Sequence, residues 1–219
     1  MTQLLNALPG ALAQGLIWGV MAIGVYITYK VLDIADLTVD GSICTGAAVC
    51  TMLLLGGQSP WLALLCAFVC GMLAGFVTGM FHTKCGIPAI LSGILTQLAL
   101  YSLNLRIMSG RANVPISWRN YSLIVSSKSD VLPRTIAVCT IFIVALIGIL
   151  YWFFGTELGF SIRATGCNQA MARANGINTD SRKTMGLVIS NGIVALSGAL
   201  LAQFQGNADV NMGRGAIVT

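Results

Sequence analysis

Charge is what this sequence has least of. Its 12 Lys+Arg and 7 Asp+Glu make up 9% of 219 residues, against about 25% in a soluble globular chain. With 56% hydrophobic residues and a mean hydropathy of +0.84, a soluble fold is excluded. The charges leave long gaps: none falls in 1–29, 41–81, 85–105, 135–156 or 184–208, windows that together hold 138 residues. Each window reaches the ~20 residues a helix needs to cross the hydrocarbon. The polar/apolar alternation of a membrane β-barrel is missing, so the windows read as helices. Histidine is nearly absent, and the one present, His82, reads as an interfacial residue beside Lys84. The seven cysteines form no CxxC pair, and Cys44, Cys50, Cys66, Cys70 and Cys139 fall inside apolar windows as small hydrophobes. No metal site, disulfide or Cys/His or Ser/His catalysis is expected from such a set. No basic region precedes residues 11–29, so that stretch reads as a retained first span rather than a signal peptide. The basic residues are scattered singly, which gives no argument for nucleic acid.

What is present fits an all-α, polytopic membrane helical bundle of about six spans in a single domain, 1–219. The spans are expected at about 11–29, 41–56, 60–81, 87–107, 135–154 and 184–205. Gly56-Gly57-Gln58-Ser59-Pro60 divides the longest window, and Gly86-Ile87-Pro88 opens the fourth span. Trp61, Trp118, Tyr151 and Trp152 lie near proposed ends, as an aromatic belt would have them. Gly71, Gly75 and Gly79, four apart, put three residues without side chains in a row on one face of the third span, where another helix can pack closely. The two long polar connections, 106–134 and 157–183, fall on opposite sides of the membrane. Six basic residues accompany each side, so the positive-inside rule does not orient the chain.

The stretch Ala35-Asp36-Leu37-Thr38-Val39-Asp40-Gly41-Ser42-Ile43 is echoed, with one insertion, by 208–217. Five proposed spans separate the copies, so they sit on opposite faces, as in the inverted repeats of many transporters. A two-span hairpin follows the first copy while the second meets Thr219, from which a C-terminally incomplete domain is expected. Asp36, Thr38, Asp40 and Ser42 are candidate translocation-path residues, because polar groups at membrane depth face a cavity or pair with each other. The competing reading is an interfacial loop with Lys30 and Asp33. Gln97, Asn104, Asn191 and Ser197 read as helix-packing contacts. Asp36 and Asp40 also leave open an ion-coupled secondary transporter.

Residues 159–177 are too polar to span. They read as one short amphipathic helix in which Cys167, Ala170, Met171 and Ala174 form a stripe and Gly176 caps the end. Small residues on that stripe favour close protein contact over a lipid surface, where Leu, Phe or Trp is expected. Here, and in 183–206 with Leu196-Ser197-Gly198-Ala199-Leu200-Leu201-Ala202, the chain resembles the permease subunits of ATP-binding-cassette importers of the branched-chain amino acid and ribose-type superfamily. The family's Arg-Ala-x-Gly-x-Asn pattern, followed by small residues and Gly-Ile, falls on Arg163, Ala164, Gly166, Asn168, Ala172, Gly176 and Ile177. The resemblance implies that this segment is the cytoplasmic coupling helix docking on an ATPase. Asp36-Leu37-Thr38-Val39 is similar to the family's Asp-Leu-Ser-Val element, with Asp40 where Gly is usual. The resemblance extends over about 30–219 and is nearest the permeases paired with tryptophan/tyrosine-type binding proteins.

It further implies a cell-membrane importer subunit that forms the path for a small solute, an amino acid and by its branch an aromatic one. The amino terminus and 106–134 would be extracytoplasmic, with Arg111, Arg119, Lys128 and Arg134 as docking charges for a substrate-binding protein. A second permease copy would complete a homodimer. No Gly-x-x-x-x-Gly-Lys-[Ser/Thr] stretch occurs, so ATP would be hydrolysed by a partner subunit and no cofactor bound here.

Overall fold

The computed structural model describes residues 2–116, 125 and 132–214. In chain order the described elements are α1 (Thr2–Tyr26), α2 (Thr38–Leu55), α3 (Pro60–Thr83), α4 (Ala89–Ile107), β1 (Asn113–Pro115), α5 (Leu132–Phe154), α6 (Glu157–Cys167), α7 (Gln169–Ala174), α8 (Thr179–Gln205) and β2 (Asn207–Asp209). Among the described residues six helices are long and apolar enough to cross a membrane: α2, α3, α4, α5, α8, and a first one running from Leu8 in α1 through the π-helical stretch Ile27–Val31. The chain is an all-α multi-pass bundle with the six spans expected from its charge gaps.

Four spans start earlier than the gaps indicated, the first at Leu8 and α5 at Leu132, and α2 and α8 each take in an acidic residue. α2 begins at Thr38 and takes in Asp40, and α8 begins at Thr179 and takes in Asp180. An acidic residue in a first turn faces the positive end of the helix dipole and is tolerated there. Asn178 caps α8 by accepting the Ser181 N–H at 3.2 Å, and Gly206 ends it at φ +69° with its N–H on Ala202. A short two-stranded ribbon accompanies the helices. β1 and β2 pair antiparallel with Asn113 opposite Asp209, and the Ile116 N–H extends the ladder to the Gly206 carbonyl at 2.7 Å.

α8 is the axis of the bundle and α5 its outermost span: 78% of the α8 window is buried, against 11% for α5. Composition explains the difference. α5 is rich in Ile, Leu, Val and Phe, whereas α8 carries Gly186, Ser190, Gly192, Ala195, Ser197, Gly198, Ala199 and Ala202. In lipid no hydrophobic force drives large apolar side chains inward, so the centre goes to the helix that allows the closest contact. α2 runs parallel to α8, with Gly46 against the Ala195 carbonyl and Gly198 against that of Ile43. α3 runs antiparallel to it: Gly71 meets Ala195 and the Asn191 carbonyl, Gly75 the Leu187 carbonyl, and Gly79 Thr184. Ser190 and Ser197 donate to the carbonyls of Gly24 (2.7 Å) and Ile17 (3.1 Å), tying α1 to the axis.

Candidate functional site

Between Val31 and Thr38 the chain is not helical, and Asp33 takes φ +56°. This break carries Asp36 to the level of Asn191, near the middle of α8. Irregular backbone at such depth requires polar partners inside the protein. Asp36 Oδ1 accepts the Thr38 N–H at 2.9 Å and its Oδ2 accepts Asn191 Nδ2 at 2.7 Å. Asn191 Nδ2 also donates to the Leu187 carbonyl at 3.1 Å, and its Oδ1 accepts Ser42 Oγ at 2.6 Å. Thr38 Oγ1 shares a proton with Thr78 Oγ1 at 2.8 Å. Asp36, Thr38 and Ser42 are all buried, and they pair with each other and with α3 and α8. Asn191, read from sequence as a packing contact, is the hub of this network. Its signal was an amide midway along the span richest in small residues.

Asp40 faces the other way. With Gln97 and Asn104 of α4 and with Arg214 it lines a cavity of about 230 Å³. Arg214 arrives because the chain after α8 folds back along α2: Ala208 packs with Ala47 and Ala48, the Gly213 N–H donates to Cys44 Sγ at 3.3 Å, and Gly213 lies on the Asp40 carbonyl. The two echoed stretches are thus brought against each other. They share a local turn, since Asp209 Oδ1 accepts the Asn211 N–H at 2.7 Å as Asp36 accepts that of Thr38. Residues 215–217 of the echo lie outside the described residues. Cys44 and Cys50 are more than small hydrophobes, because Cys50 Sγ likewise accepts Gln203 Nε2 at 3.3 Å.

The segment 159–177 is two helices, not the single one expected. Asn168 breaks it with extended backbone (φ −155°, ψ 103°), ends α6, and caps α7 by accepting the Met171 N–H at 3.0 Å. An Asn whose side chain bonds a nearby amide competes with helical backbone, which is the cause of the break. Cys167 therefore belongs to α6 and leaves the stripe, although it and Ala170, Met171 and Ala174 are all exposed. Ala172 points inward at 2% exposure. α7 ends in a Schellman motif: Gly176 at φ +78° donates to the Arg173 carbonyl and Ile177 to that of Ala172. Arg173 Nε donates to Thr179 Oγ1 at 2.8 Å, pinning α7 to the start of α8. Arg163 and Ala164 are exposed, with the Arg163 guanidinium 5.9 Å from the Phe160 ring centroid. Gly166 faces inward onto the Val31 carbonyl and Leu32, at the start of the break that leads to Asp36.

A profile of the family described as branched-chain amino acid transport system / permease component matches residues 8–219. The chain belongs to that permease family. It is 44% identical over 214 residues to a tyrosine transport system permease protein of Clostridioides difficile (strain R20291), covering 98% of this chain and 70% of that one. It is 35% identical to an uncharacterized protein of Rickettsia prowazekii (strain Madrid E), covering 96% and 73%. It is 23% identical to a probable branched-chain amino acid transport permease protein LivH of Methanocaldococcus jannaschii, covering 90% and 66%. No solved structure matches. The permease is a multi-pass protein of the cell membrane, and its family supplies the membrane component of amino acid transport systems. At the end of the permease opposite α6 and α7, Arg111 and Arg134 are exposed, while Trp118, Arg119 and Lys128 lie outside the described residues.

Proposed function

We propose that this permease is the membrane subunit of an ATP-binding-cassette importer, carrying an amino acid, of aromatic type, along a path beside α2 and driven by a separate ATPase docked on α6 and α7. The observation that carries the reading is the α6–α7 elbow. Its outer surface of Arg163, Ala164, Ala170 and Met171 is exposed, while its inner surface rests through Gly166 on Val31 and Leu32. A push on the elbow reaches the break before Asp36 through that direct contact. On this reading α6 and α7 are cytoplasmic, and the ribbon and the 106–134 connection are outside, available to a substrate-binding protein. A second permease copy completes the path. The aromatic substrate follows the name of the 44% identical relative, a tyrosine transport system permease protein.

The test is co-purification with the ATPase encoded beside the permease. Arg163→Glu and Met171→Glu, both on the exposed surface, are expected to abolish co-elution while leaving the bundle's thermal midpoint unchanged. Gly166→Trp is a poor probe because it disrupts contact with Val31 in the permease itself. Retained co-elution in both surface variants would remove the coupling assignment. The ion-coupled carrier is supported by the deeply placed Asp36 carboxyl. It predicts amino acid uptake into vesicles under a proton or sodium gradient without ATPase, and loss of that uptake in Asp36→Asn.

A further inference from the structure

Between the first span and α5 lies a groove of about 380 Å³ that reaches α6. Ile23 and Ile27 form one apolar wall, Ile147 and Leu150 the other. α5 is the outermost span and Ile147 is exposed, so the groove opens to lipid. Its character changes at the end where α5 passes into α6. Tyr26 and Tyr151, both exposed, flank it there, and Arg163 is the one charged member of the lining among the described residues. The Arg163 guanidinium lies 5.9 Å from the Phe160 ring centroid. That contact gives its N–H donors no oxygen, and among the described residues no carboxylate pairs with it.

We infer that this groove seats an anionic phospholipid, with one acyl chain between α1 and α5 and the phosphate on Arg163. A guanidinium offers paired N–H donors that match phosphate oxygens, and a basic residue at the membrane surface draws an anionic headgroup. Tyr26 and Tyr151 stand where aromatic side chains meet the headgroup level. A zwitterionic lipid brings an ammonium as well, and the lining has no carboxylate among the described residues to receive it. A water-soluble phosphate would leave the apolar walls uncovered, and an apolar helix of a second copy would leave the guanidinium without a counter-charge. The inference needs only the membrane location of the permease and goes beyond the importer reading. Val31 lines the groove and also carries the carbonyl against which Gly166 lies, so a seated lipid braces the contact between the elbow and the break before Asp36.

The test is native mass spectrometry of the full-length permease in mild detergent, titrated with phosphatidylglycerol and, separately, with phosphatidylcholine of the same chains. Saturable binding is expected, with phosphatidylglycerol favoured about fivefold, which is what one basic residue contributes at a membrane surface. Arg163→Gln is expected to weaken phosphatidylglycerol by that factor and to leave phosphatidylcholine unchanged. Ile147→Trp fills the groove from an exposed position about two turns inside α5, away from the outer surface of the elbow. It is expected to weaken both lipids at least about fourfold, as the loss of one buried CH₂ does. Glycerol phosphate, a headgroup without chains, is expected not to displace bound lipid. Equal binding of the two lipids, an unchanged preference in Arg163→Gln, or unchanged phosphatidylglycerol binding in Ile147→Trp would overturn the site. Displacement by glycerol phosphate would overturn it in favour of a surface phosphate site. A permease dimer that Ile147→Trp dissociates without any change in lipid binding would give the groove to a second copy and overturn the inference.

Discussion

Asn191 satisfies three groups at once: the Asp36 carboxylate, the Ser42 hydroxyl and the Leu187 carbonyl. Replacing it by Leu takes one of the two hydrogen bonds from the Asp36 carboxyl, leaving only the Thr38 N–H, and a buried polar group left short of its partner costs about 1–3 kcal/mol. Asn191→Leu is expected to lower the thermal midpoint in mild detergent by several degrees, and Asp36→Asn in the same background to recover part of the loss. A double variant no more stable than the single one would show that the carboxyl is not the group left short. The sequence made Asp36 and Asn191 visible as polar residues in apolar surroundings. It did not pair them, because 155 positions separate the two and only the packing of α8 beside α2 closes that distance.

On the scale of elements, α3 meets α8 along its glycine row, and a Cβ at Gly71 would land on Ala195 and the Asn191 carbonyl. Overpacking of this kind costs about 1–3 kcal/mol, so Gly71→Ala is expected to destabilise the bundle by that amount. Gly148 on α5 has no atom near its would-be Cβ, and Gly148→Ala is expected to be neutral or to stabilise by about 0.5–1 kcal/mol, as Ala does over Gly in a helix. Thermal unfolding of the two variants side by side checks the contrast. At the elbow, Gly176 holds φ +78°, and Gly176→Ala is expected to cost about 1 kcal/mol and to fray α7. That fraying is read as faster amide exchange at residues 169–174. The four-residue spacing of the glycines was legible in the sequence, but the identity of the helix they meet was not. The break at Asn168 escaped a reading by periodicity, because Ala-rich flanks favour helix on both sides and the competing side-chain bond is a single local contact.

For the molecule as a whole, the most apolar span lies outermost. Val144 and Ile147 on α5 are 64% and 51% exposed, so on this bundle they face lipid. Val144→Arg is expected to cost about 2.5–3.5 kcal/mol at mid-bilayer and to reduce the membrane-inserted fraction, whereas Val144→Leu leaves it unchanged. Cys85 and Cys167, both exposed, lie at the same end of the bundle. With α6 and α7 cytoplasmic, a membrane-impermeant maleimide is expected to label both only after cells are permeabilised. Labelling of intact cells would invert the proposed orientation.

The sequence by itself determined the number of spans, their approximate limits and their helical nature. These follow from local facts: an unbroken apolar run of about 20 residues has no other way to satisfy its backbone in lipid. Tertiary structure decided which helix became the axis, what Asp36 pairs with, and that Asp40, Asn104 and Arg214 share one cavity. Those outcomes depend on the close approach that Gly46, Gly71, Gly75 and Gly198 permit between helices far apart in the chain. Hydropathy does not encode that approach, because the lipid favours every apolar face equally.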